Sequence, residues 1–333
     1  MLTIVTTSAR PALPPVPDRA SPLAVASAAA TRWTLGSLTE VVPMNRPGVQ
    51  FSRGLVATIM GTLGSMPAGT RVIPVRAPGL RGEWVLAPGV DFGPRAGYYV
   101  HGSAYAICSA RTHRKLVARL SQATGLPMFV VDYRLAPEAR FPAAADDVEA
   151  GYRWLLSQHY AASDIVIGAD SAGGHLTLDL LLTHADEPNF QPAAVALFSP
   201  LVDLTLGLAR GAEQVRRDPA MSATAAHRLV SLYTDGHDHD HPRLRLDFTQ
   251  AAKLPPVLTQ VGGFEMLRAD ARHLHAGITD AGGTSVLEVW PGMVHVFQAL
   301  PRLVPEARPA LHRAAAFLAD ATGGQSDRRE EVC

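Results

Sequence analysis

The chain has 333 residues, with 30 basic and 30 acidic side chains and therefore no formal net charge. Hydrophobic residues make up 47% of it, which is enough for a large buried core. The sequence holds no basic cluster, and this argues against nucleic-acid binding. Its two cysteines, Cys108 and Cys333, are too few for a disulfide framework. We therefore expect a globular protein of the reducing cytoplasm.

Taken in order, the chain divides by composition into four parts. Prolines and small residues predict a flexible arm over residues 1–21. Two Ala-, Leu- and Val-rich segments in residues 22–66 each open on a proline and have helical spacing, so we expect helices of a cap there. Residues 67–322 are predicted to form a catalytic domain with a cap insertion near 200–250, where the periodicity lapses. A loose polar tail over 323–333 follows.

Strands and helices alternate through the catalytic domain. Strands are predicted at residues 70–75, 83–87, 97–100, 127–133, 164–168, 193–198, 256–261 and 284–290, the first two as an antiparallel edge hairpin. Helices are predicted at residues 109–124, 143–158, 172–184 and 223–233. This alternation predicts an α/β fold: a mostly parallel sheet with helices on both faces and a helical cap. The apolar stretches of the cap are too short to span a bilayer, although they allow transient membrane or lipid contact.

Ser171 is the first candidate for chemistry. The β-branched run that ends at Gly168 passes through small residues into a Leu-rich helical segment, which predicts a strand, a tight turn and a helix with Ser171 at the turn. This arrangement resembles the nucleophile elbow of α/β-hydrolases, whose pattern is G-x-S-x-G. Here Ala169 stands in the place of the first glycine, while Gly173 keeps the second.

A serine hydroxyl needs a base to take its proton, and the base needs a carboxylate to orient it. His295 follows the last predicted strand, and Glu265 follows the strand before that. The chain order serine, acid, histidine matches that of the α/β-hydrolase triad. All three residues lie on loops at the carboxyl ends of strands, where open α/β sheets place their sites.

Two further motifs extend the resemblance to most of the chain. His101-Gly102-Ser103-Ala104 occupies the place of a His-Gly-Gly-Gly motif, and the block from Asp132 to Glu138 reads Asp-Tyr-Arg-Leu-Ala-Pro-Glu. With Ala169 to Gly174, these motifs make the chain similar to the hormone-sensitive-lipase-like α/β-hydrolases, the bacterial family IV carboxylesterases. The resemblance runs from about residue 73 to residue 318.

The resemblance implies a role for each matching residue. Ser171 would be the nucleophile, His295 the general base and then acid, and Glu265 the orienting carboxylate. The backbone N–H groups of Ser103, Ala104 and Ala172 would form the oxyanion hole. The weaker candidates for the substrate pocket are His101, Gly102, Tyr105 and Asp170, and Tyr105 could equally be a packing residue.

The chain departs from the family pattern in two places. Glu265 stands where the family usually has Asp, so the loop must accommodate an extra methylene, and Asp270 is the alternative acid. Ser103 and Ala104 replace two glycines, and their Cβ atoms can restrict how the loop approaches the acyl group. Loss of one oxyanion donor would lower the rate by about 10²- to 10³-fold.

Two other polar segments have simpler interpretations. We expect the block from Asp132 to Glu138 to be an ion-paired turn that braces the loops near the oxyanion hole. His237, His239 and His241 alternate in an acidic, glycine-containing loop, which is more typical of a solvated turn than of a zinc site. No metal or other cofactor is predicted.

These features together predict a serine carboxylesterase acting on a small-molecule ester. Short to medium acyl chains and a homodimer are what the resemblance implies. Two alternatives stay open: an amidase or deacetylase with the same triad, and a ligand-binding receptor on the same scaffold. Retention of His295 argues against the receptor.

Overall fold

The computed structural model describes residues 13–33, 43, 45–62, 64–102 and 104–330, with the side chains of 324–330 excepted. Its strands are β1 Arg71–Ala77, β2 Leu80–Leu86, β3 Ala96–Val100, β4 Met128–Val131, β5 Ile165–Asp170, β6 Ala194–Phe198, β7 Val257–Gly262 and β8 Ser285–Trp290. Its helices are α1 Pro22–Thr31, α2 Arg46–Thr62, α3 Ala110–Thr124, α4 Ala143–Ser157, α5 Ala172–Thr183, α6 Gly207–Val215, α7 Ala223–Thr234, α8 Arg268–Asp280 and α9 Ala307–Glu330.

The strands form one eight-stranded sheet in the order β1-β2-β4-β3-β5-β6-β7-β8. The pairs β1–β2 and β2–β4 are antiparallel, and the remaining pairs are parallel. The predicted α/β fold with a mostly parallel sheet is therefore confirmed. The predicted hairpin is confirmed too, but its strands are longer than expected. Ala77 pairs with Leu80 across a two-residue turn in which Gly79 has a φ of 72°.

The central strands are buried on both faces because helices cover both sides of the sheet. Tyr98 belongs to the apolar cluster that includes residues of α4, α5 and α8, whereas Tyr99 belongs to the cluster under α3 and α9. This alternation along one strand explains why the central strands read as continuous apolar runs. A third cluster packs Ala24 and Ala28 of α1 against the loops after β8.

Two helices form in segments where the sequence analysis predicted none. α6 contains Gly207 and Gly211, which lower its intrinsic helix propensity and hide its pattern. Its start is fixed by Asp203, whose carboxylate accepts the N–H of Leu208 at 3.0 Å. α8 begins three residues after Glu265, in a stretch where the sequence analysis considered only the candidate acids.

Two helices form in the N-terminal segment, as expected, and α2 is shorter than predicted. α1 ends at Thr31, and residues 34–42, which were predicted to continue this helix, lie outside the described residues, as do residues 1–12 of the predicted arm. α2 ends at Thr62 instead of continuing to residue 66. No helix among the described residues is long and apolar enough to cross a membrane.

Candidate active site

Ser171 lies in the turn between β5 and α5 with φ 51° and ψ −123°. A non-glycine residue rarely adopts this backbone conformation, and such strain is found where a side chain must be presented to a ligand. Neighbouring hydrogen bonds hold the turn in place. The Ser171 N–H donates to Phe198 O at 3.0 Å, and the Ser171 carbonyl accepts from Gly174 and Leu201 at 2.9 and 3.0 Å.

Small residues let the turn fit against the adjoining loop. A Cβ built on Gly173 would lie 2.1 Å from Val100 O, and one on Gly102 would lie 2.1 Å from an Asp170 carboxylate oxygen. Neither position tolerates a side chain. Ala169 is fully buried within the sheet, so the departure from the G-x-S-x-G pattern falls where a methyl group is accommodated.

His295 and Glu265 form a hydrogen-bonded pair on the neighbouring loops. His295 Nδ1 lies 2.8 Å from Glu265 Oε2, and the Glu265 side chain is fully buried. Burial alone would lower the pKa of His295, but the hydrogen bond and charge of Glu265, with Asp218 and Asp170 contributing, raise this pKa above its ordinary value of 6.5. With Nδ1 bound to the acid, Nε2 is the nitrogen left to exchange a proton.

The longer side chain of Glu265 is accommodated because it bends back towards the end of β7. Its Oε1 accepts the N–H of Gly262, three residues earlier. A Cβ on Gly262 would lie 2.3 Å from Met293 O and 3.0 Å from this same Oε1. The glycine therefore leaves the space into which the longer acid turns.

Ser199, which the sequence reasoning missed, connects the acid to the histidine loop. Its Oγ donates to Glu265 Oε1 at 2.7 Å and accepts the N–H of Val296 at 3.1 Å. Its own N–H donates to Gln260 O at 2.8 Å. Ser199 is completely buried and has a φ of 50°. A buried serine directly after β6, the strand that pairs with β5, was the signal that could have identified it.

The alternative acid, Asp270, lies elsewhere in the site. Its Oδ1 accepts the N–H groups of Val202 and Asp203, both at 2.9 Å. Burial raises the pKa of Asp270 to about 7. The carboxyl thus holds the loop that leads into α6, while Glu265 is the carboxylate on His295.

Of the predicted oxyanion residues that the structure describes, Ala172 directly follows Ser171, and Ala104 lies two residues after Gly102, on which a Cβ would lie 2.9 Å from Ser171 Cβ. Ala172 is the first residue of α5, so its N–H has no acceptor within the helix. Ala104, after β3, has a φ of 46° and Tyr105 a φ of 63°, so this loop is held in a strained shape. Ser103 lies outside the described residues. The oxyanion roles stay predictions.

A buried polar network around Asp170 contacts the loop after β3. Asp170 receives a hydrogen bond from the Tyr99 hydroxyl at 2.8 Å, lies 3.3 Å from His113 Nε2, and is also bonded by the Gly102 N–H. Burial alone would raise the pKa of Asp170, but His113, with Tyr99 and Gly102, holds it below its usual range. His101 stacks on Tyr133, their ring centroids 4.2 Å apart.

The four weaker candidates for the substrate pocket lie at the end of β5 and on the loop after β3. His101, Gly102, Tyr105 and Asp170 are all buried. The ring of Tyr105 stacks on Tyr233 with centroids 4.2 Å apart. A role in the pocket stays a prediction for each of them.

The block from Asp132 to Glu138 contacts the loop after β3, residues 101–105, which we call the oxyanion loop after its predicted role. The ion pairs of the block are made with other elements and not within the turn. Arg134 pairs with Asp147 of α4 at 2.8 Å, and Glu138 pairs with Arg53 of α2 at 2.7 Å. The N–H of Ala136 donates directly to Tyr105 O at 2.9 Å.

The histidine run does not assemble a metal site in the parts of the chain that the structure describes. Within them, no three His, Cys, Asp or Glu side chains converge on a common point. The rings of His237 and His241 instead pack edge-on against Phe141, at 5.1 and 4.9 Å.

A serine at a strained strand–helix turn, followed along the chain by an acid and a histidine on adjoining loops, defines an α/β-hydrolase. A family model described as the alpha/beta hydrolase fold matches residues 98–299. The carboxylesterase/phospholipase LipF of Mycobacterium tuberculosis is 33% identical over 328 residues, covering 94% of this chain and 84% of that protein. An acetyl-hydrolase of Streptomyces hygroscopicus is 36% identical, covering 72% of this chain and 80% of its own length.

Solved structures agree with these relatives. The crystal structure of an esterase from the bacterial hormone-sensitive lipase family superposes with a TM-score of 0.81 at 32% identity, covering 91% of this chain and 99% of that one. The chain belongs to the hormone-sensitive-lipase-like family of α/β-hydrolases, and it is a carboxylic ester hydrolase.

Proposed function

We propose that the protein is a serine esterase that cleaves short to medium acyl esters through an acyl-Ser171 intermediate, with His295 and Glu265 completing the triad. The proposal rests on one local arrangement: a strained Ser171 at the end of β5, with a histidine on an adjoining loop whose Nδ1 is fixed by a buried carboxylate. Strain at the serine and a fixed tautomer at the histidine are what nucleophilic catalysis by a hydroxyl requires.

In the first half-reaction, Ser171 Oγ attacks the ester carbonyl while His295 Nε2 takes its proton. The carbonyl oxygen becomes an oxyanion, which the N–H groups of Ala172 and Ala104 bind, together with the predicted donor Ser103. The bond to the alcohol then breaks, and His295 returns the proton to the departing alkoxide. Glu265 stays ionised and stabilises the imidazolium between these steps.

In the second half-reaction, water replaces the alcohol. His295 takes a proton from the water, the resulting hydroxide attacks the acyl carbon, and the same donors bind the second oxyanion. Collapse of this intermediate breaks the bond to Ser171 Oγ, which recovers its proton from His295. The products are the carboxylic acid and the free enzyme.

The test is hydrolysis of p-nitrophenyl esters from acetate to dodecanoate by the wild type and Ser171→Ala. Ser157→Ala is the matched control, because Ser157 is an exposed serine at the end of α4. We expect turnover by the wild type and the control, background rates for Ser171→Ala, and an optimum at the shorter chains. Equal activity of the wild type and Ser171→Ala would remove the nucleophile role.

A covalent probe tests the intermediate separately. A fluorophosphonate should add one phosphonyl group to the peptide containing Ser171, and mass spectrometry locates the modification. Labelling at another serine would contradict the assignment. Matched ester and anilide substrates decide the amidase alternative, since an amidase would turn over the anilide at a comparable kcat/KM.

A further inference from the structure

A cavity of about 680 Å³ lies in the cap between the end of α1, helix α6 and the start of α7. Three arginines line it: Arg32 after α1, Arg210 on α6 and Arg217 in the loop after α6. Two acidic residues, Glu213 and Asp218, share its wall. The cavity therefore joins charged residues from the amino-terminal segment and from the cap insertion.

The two carboxylates are bound to backbone N–H groups and not to the arginines. Glu213 accepts the N–H of Ala223 at 3.0 Å, and Asp218 accepts those of Ala220 and Met266 at 2.7 and 2.9 Å. These hydrogen bonds fix the two carboxylates to the turns around the cavity and leave the arginines unpaired with them.

The arginines keep their charged groups available. In the described parts of the chain, the ion pairs formed within 4.0 Å include none made by Arg32, Arg210 or Arg217. Among the described residues, the Arg210 side chain makes one hydrogen bond, from Nη1 to Thr205 O at 2.8 Å. Within that part of the chain, most of the guanidinium donors around the cavity are therefore available to a ligand.

The cavity is also adjacent to the triad. Asp218 lines its wall and bonds the N–H of Met266, the residue after Glu265. Its charge acts on His295 as well. Asp218 and Met266 therefore connect the wall of the cavity to the loop that carries the acid of the triad.

We propose that this cavity binds an anionic group, a carboxylate or a phosphate, carried by the ester substrate, and that Arg32, Arg210 and Arg217 are the residues that bind it. Guanidinium groups bind both anions through paired hydrogen bonds. A neutral ester would leave these donors unused. The proposal rests on the proposed esterase function and specifies the class of its substrate.

The experiment compares three acetate esters of para-substituted phenols: para-acetoxybenzoate, the neutral para-acetoxybenzamide of the same size, and the larger para-acetoxyphenyl phosphate. Acetic acid release is followed in a pH-stat for the wild type, Arg210→Gln, Arg217→Gln and the control Arg76→Gln. Arg76 lies on β1, the strand at the opposite edge of the sheet from β8. The quantity compared is the ratio of kcat/KM for an anionic ester to that for the neutral one.

We expect a ratio above one in the wild type that falls about tenfold in each cavity variant, as loss of one charge-assisted hydrogen bond implies. The fall should come from KM, because the anionic group is bound equally in the ground and transition states. Arg76→Gln should keep the wild-type ratio. A ratio that is the same in the wild type and both cavity variants would overturn the proposal, and the two anionic esters distinguish carboxylate from phosphate.

A binding measurement separates this proposal from the esterase mechanism. Ser171→Ala is titrated calorimetrically with benzoate, phenyl phosphate and benzamide, with and without Arg217→Gln. Binding of an anion that is stronger than binding of benzamide, and weakened by Arg217→Gln, supports the anion site even if no ester is turned over. Equal binding of the three compounds in both variants contradicts it.

Discussion

Ser199 makes three connections from one residue: to the acid through Oγ, to the histidine loop through the N–H of Val296, and to β7 through its own N–H. Replacement by alanine leaves the Val296 N–H without its acceptor and removes one of the donors to Glu265 Oε1, while the Gly262 N–H stays. A lost buried hydrogen bond costs about 1–3 kcal/mol, and part of this loss falls on the orientation of His295. We therefore expect Ser199→Ala to lower kcat by about 10- to 100-fold.

The measurement for Ser199→Ala is kcat on p-nitrophenyl butyrate, taken together with thermal unfolding. Ser157→Ala controls for removal of a serine hydroxyl. If kcat of Ser199→Ala equals that of the wild type, Ser199 does not position the triad. A lower unfolding temperature with normal kcat would show that it serves stability alone.

The pH profile distinguishes the two candidate acids. His295 must be neutral to act as a base, and its pKa is raised above 6.5, so kcat/KM should rise with pH to a midpoint above 6.5. Glu265→Gln removes both the charge and the charged hydrogen bond that raise this pKa. We expect its midpoint to move to lower pH and kcat to fall by about 10³- to 10⁴-fold, as when a triad acid is made neutral.

Asp270→Asn is the matched control for that profile. The asparagine Oδ1 can still accept the N–H groups of Val202 and Asp203, so the loop keeps its shape. Its midpoint should stay with that of the wild type. The opposite result, a shift in Asp270→Asn and none in Glu265→Gln, would make Asp270 the acid.

At the scale of elements, β3, β5 and α3 meet at Asp170. Its carboxylate accepts a hydrogen bond from the Tyr99 hydroxyl of β3 and pairs with His113 of α3. Asp170 directly precedes Ser171. Asparagine in its place would present an NH₂ group to one of these donors and leave a buried histidine without its counter-charge. Breaking a buried pair in this way costs about 3–5 kcal/mol, so we expect Asp170→Asn to lower the free energy of unfolding by that amount.

Urea denaturation measures this loss, with Asp91→Asn as the comparison. Asp91 pairs with Arg71, but the two side chains are 81% and 52% exposed. Solvent screening should keep the effect of Asp91→Asn below about 1 kcal/mol. If the two substitutions have equal effects, the network under the oxyanion loop does not contribute as a buried ion pair.

The elements also show what the sequence could predict. The order of β5, Ser171 and α5 could be predicted because each depends on local sequence: a β-branched run favours the strand, small residues allow the turn, and a Leu-rich segment favours the helix. Glu265 and His295 were singled out because they follow strands in a known order, and the structure pairs them. Ser199 also directly follows a strand, but its bonds to Glu265 and Val296 join loops that are distant in sequence, so its role could not be predicted. The same holds for Asp218, and α6 was hidden by its glycines.

At the scale of the whole molecule, α2 is joined to the active site through Arg53. Its guanidinium donates to Ala106 O and Ala136 O, both at 2.8 Å, and pairs with Glu138. Ala136 in turn bonds Tyr105 O in the oxyanion loop. The amino-terminal helix α2 is therefore linked to the oxyanion loop through Arg53 and Ala136.

Arg53→Ala should release this connection. The side chain of Arg53 is only 20% exposed, so solvent replaces its hydrogen bonds incompletely, and we expect a loss of about 1–3 kcal/mol in stability. The oxyanion loop should also be placed less accurately, which lowers kcat more than it raises KM because the oxyanion exists only in the transition state. Steady-state kinetics on p-nitrophenyl butyrate, well below the unfolding temperature, measure the separate changes in kcat and KM.

Thr58→Ala on the same helix is the control, since among the described residues its hydroxyl bonds only Gly54 O. An Arg53→Ala enzyme with normal kcat and lower stability would mean that α2 stabilises the fold without positioning the oxyanion loop.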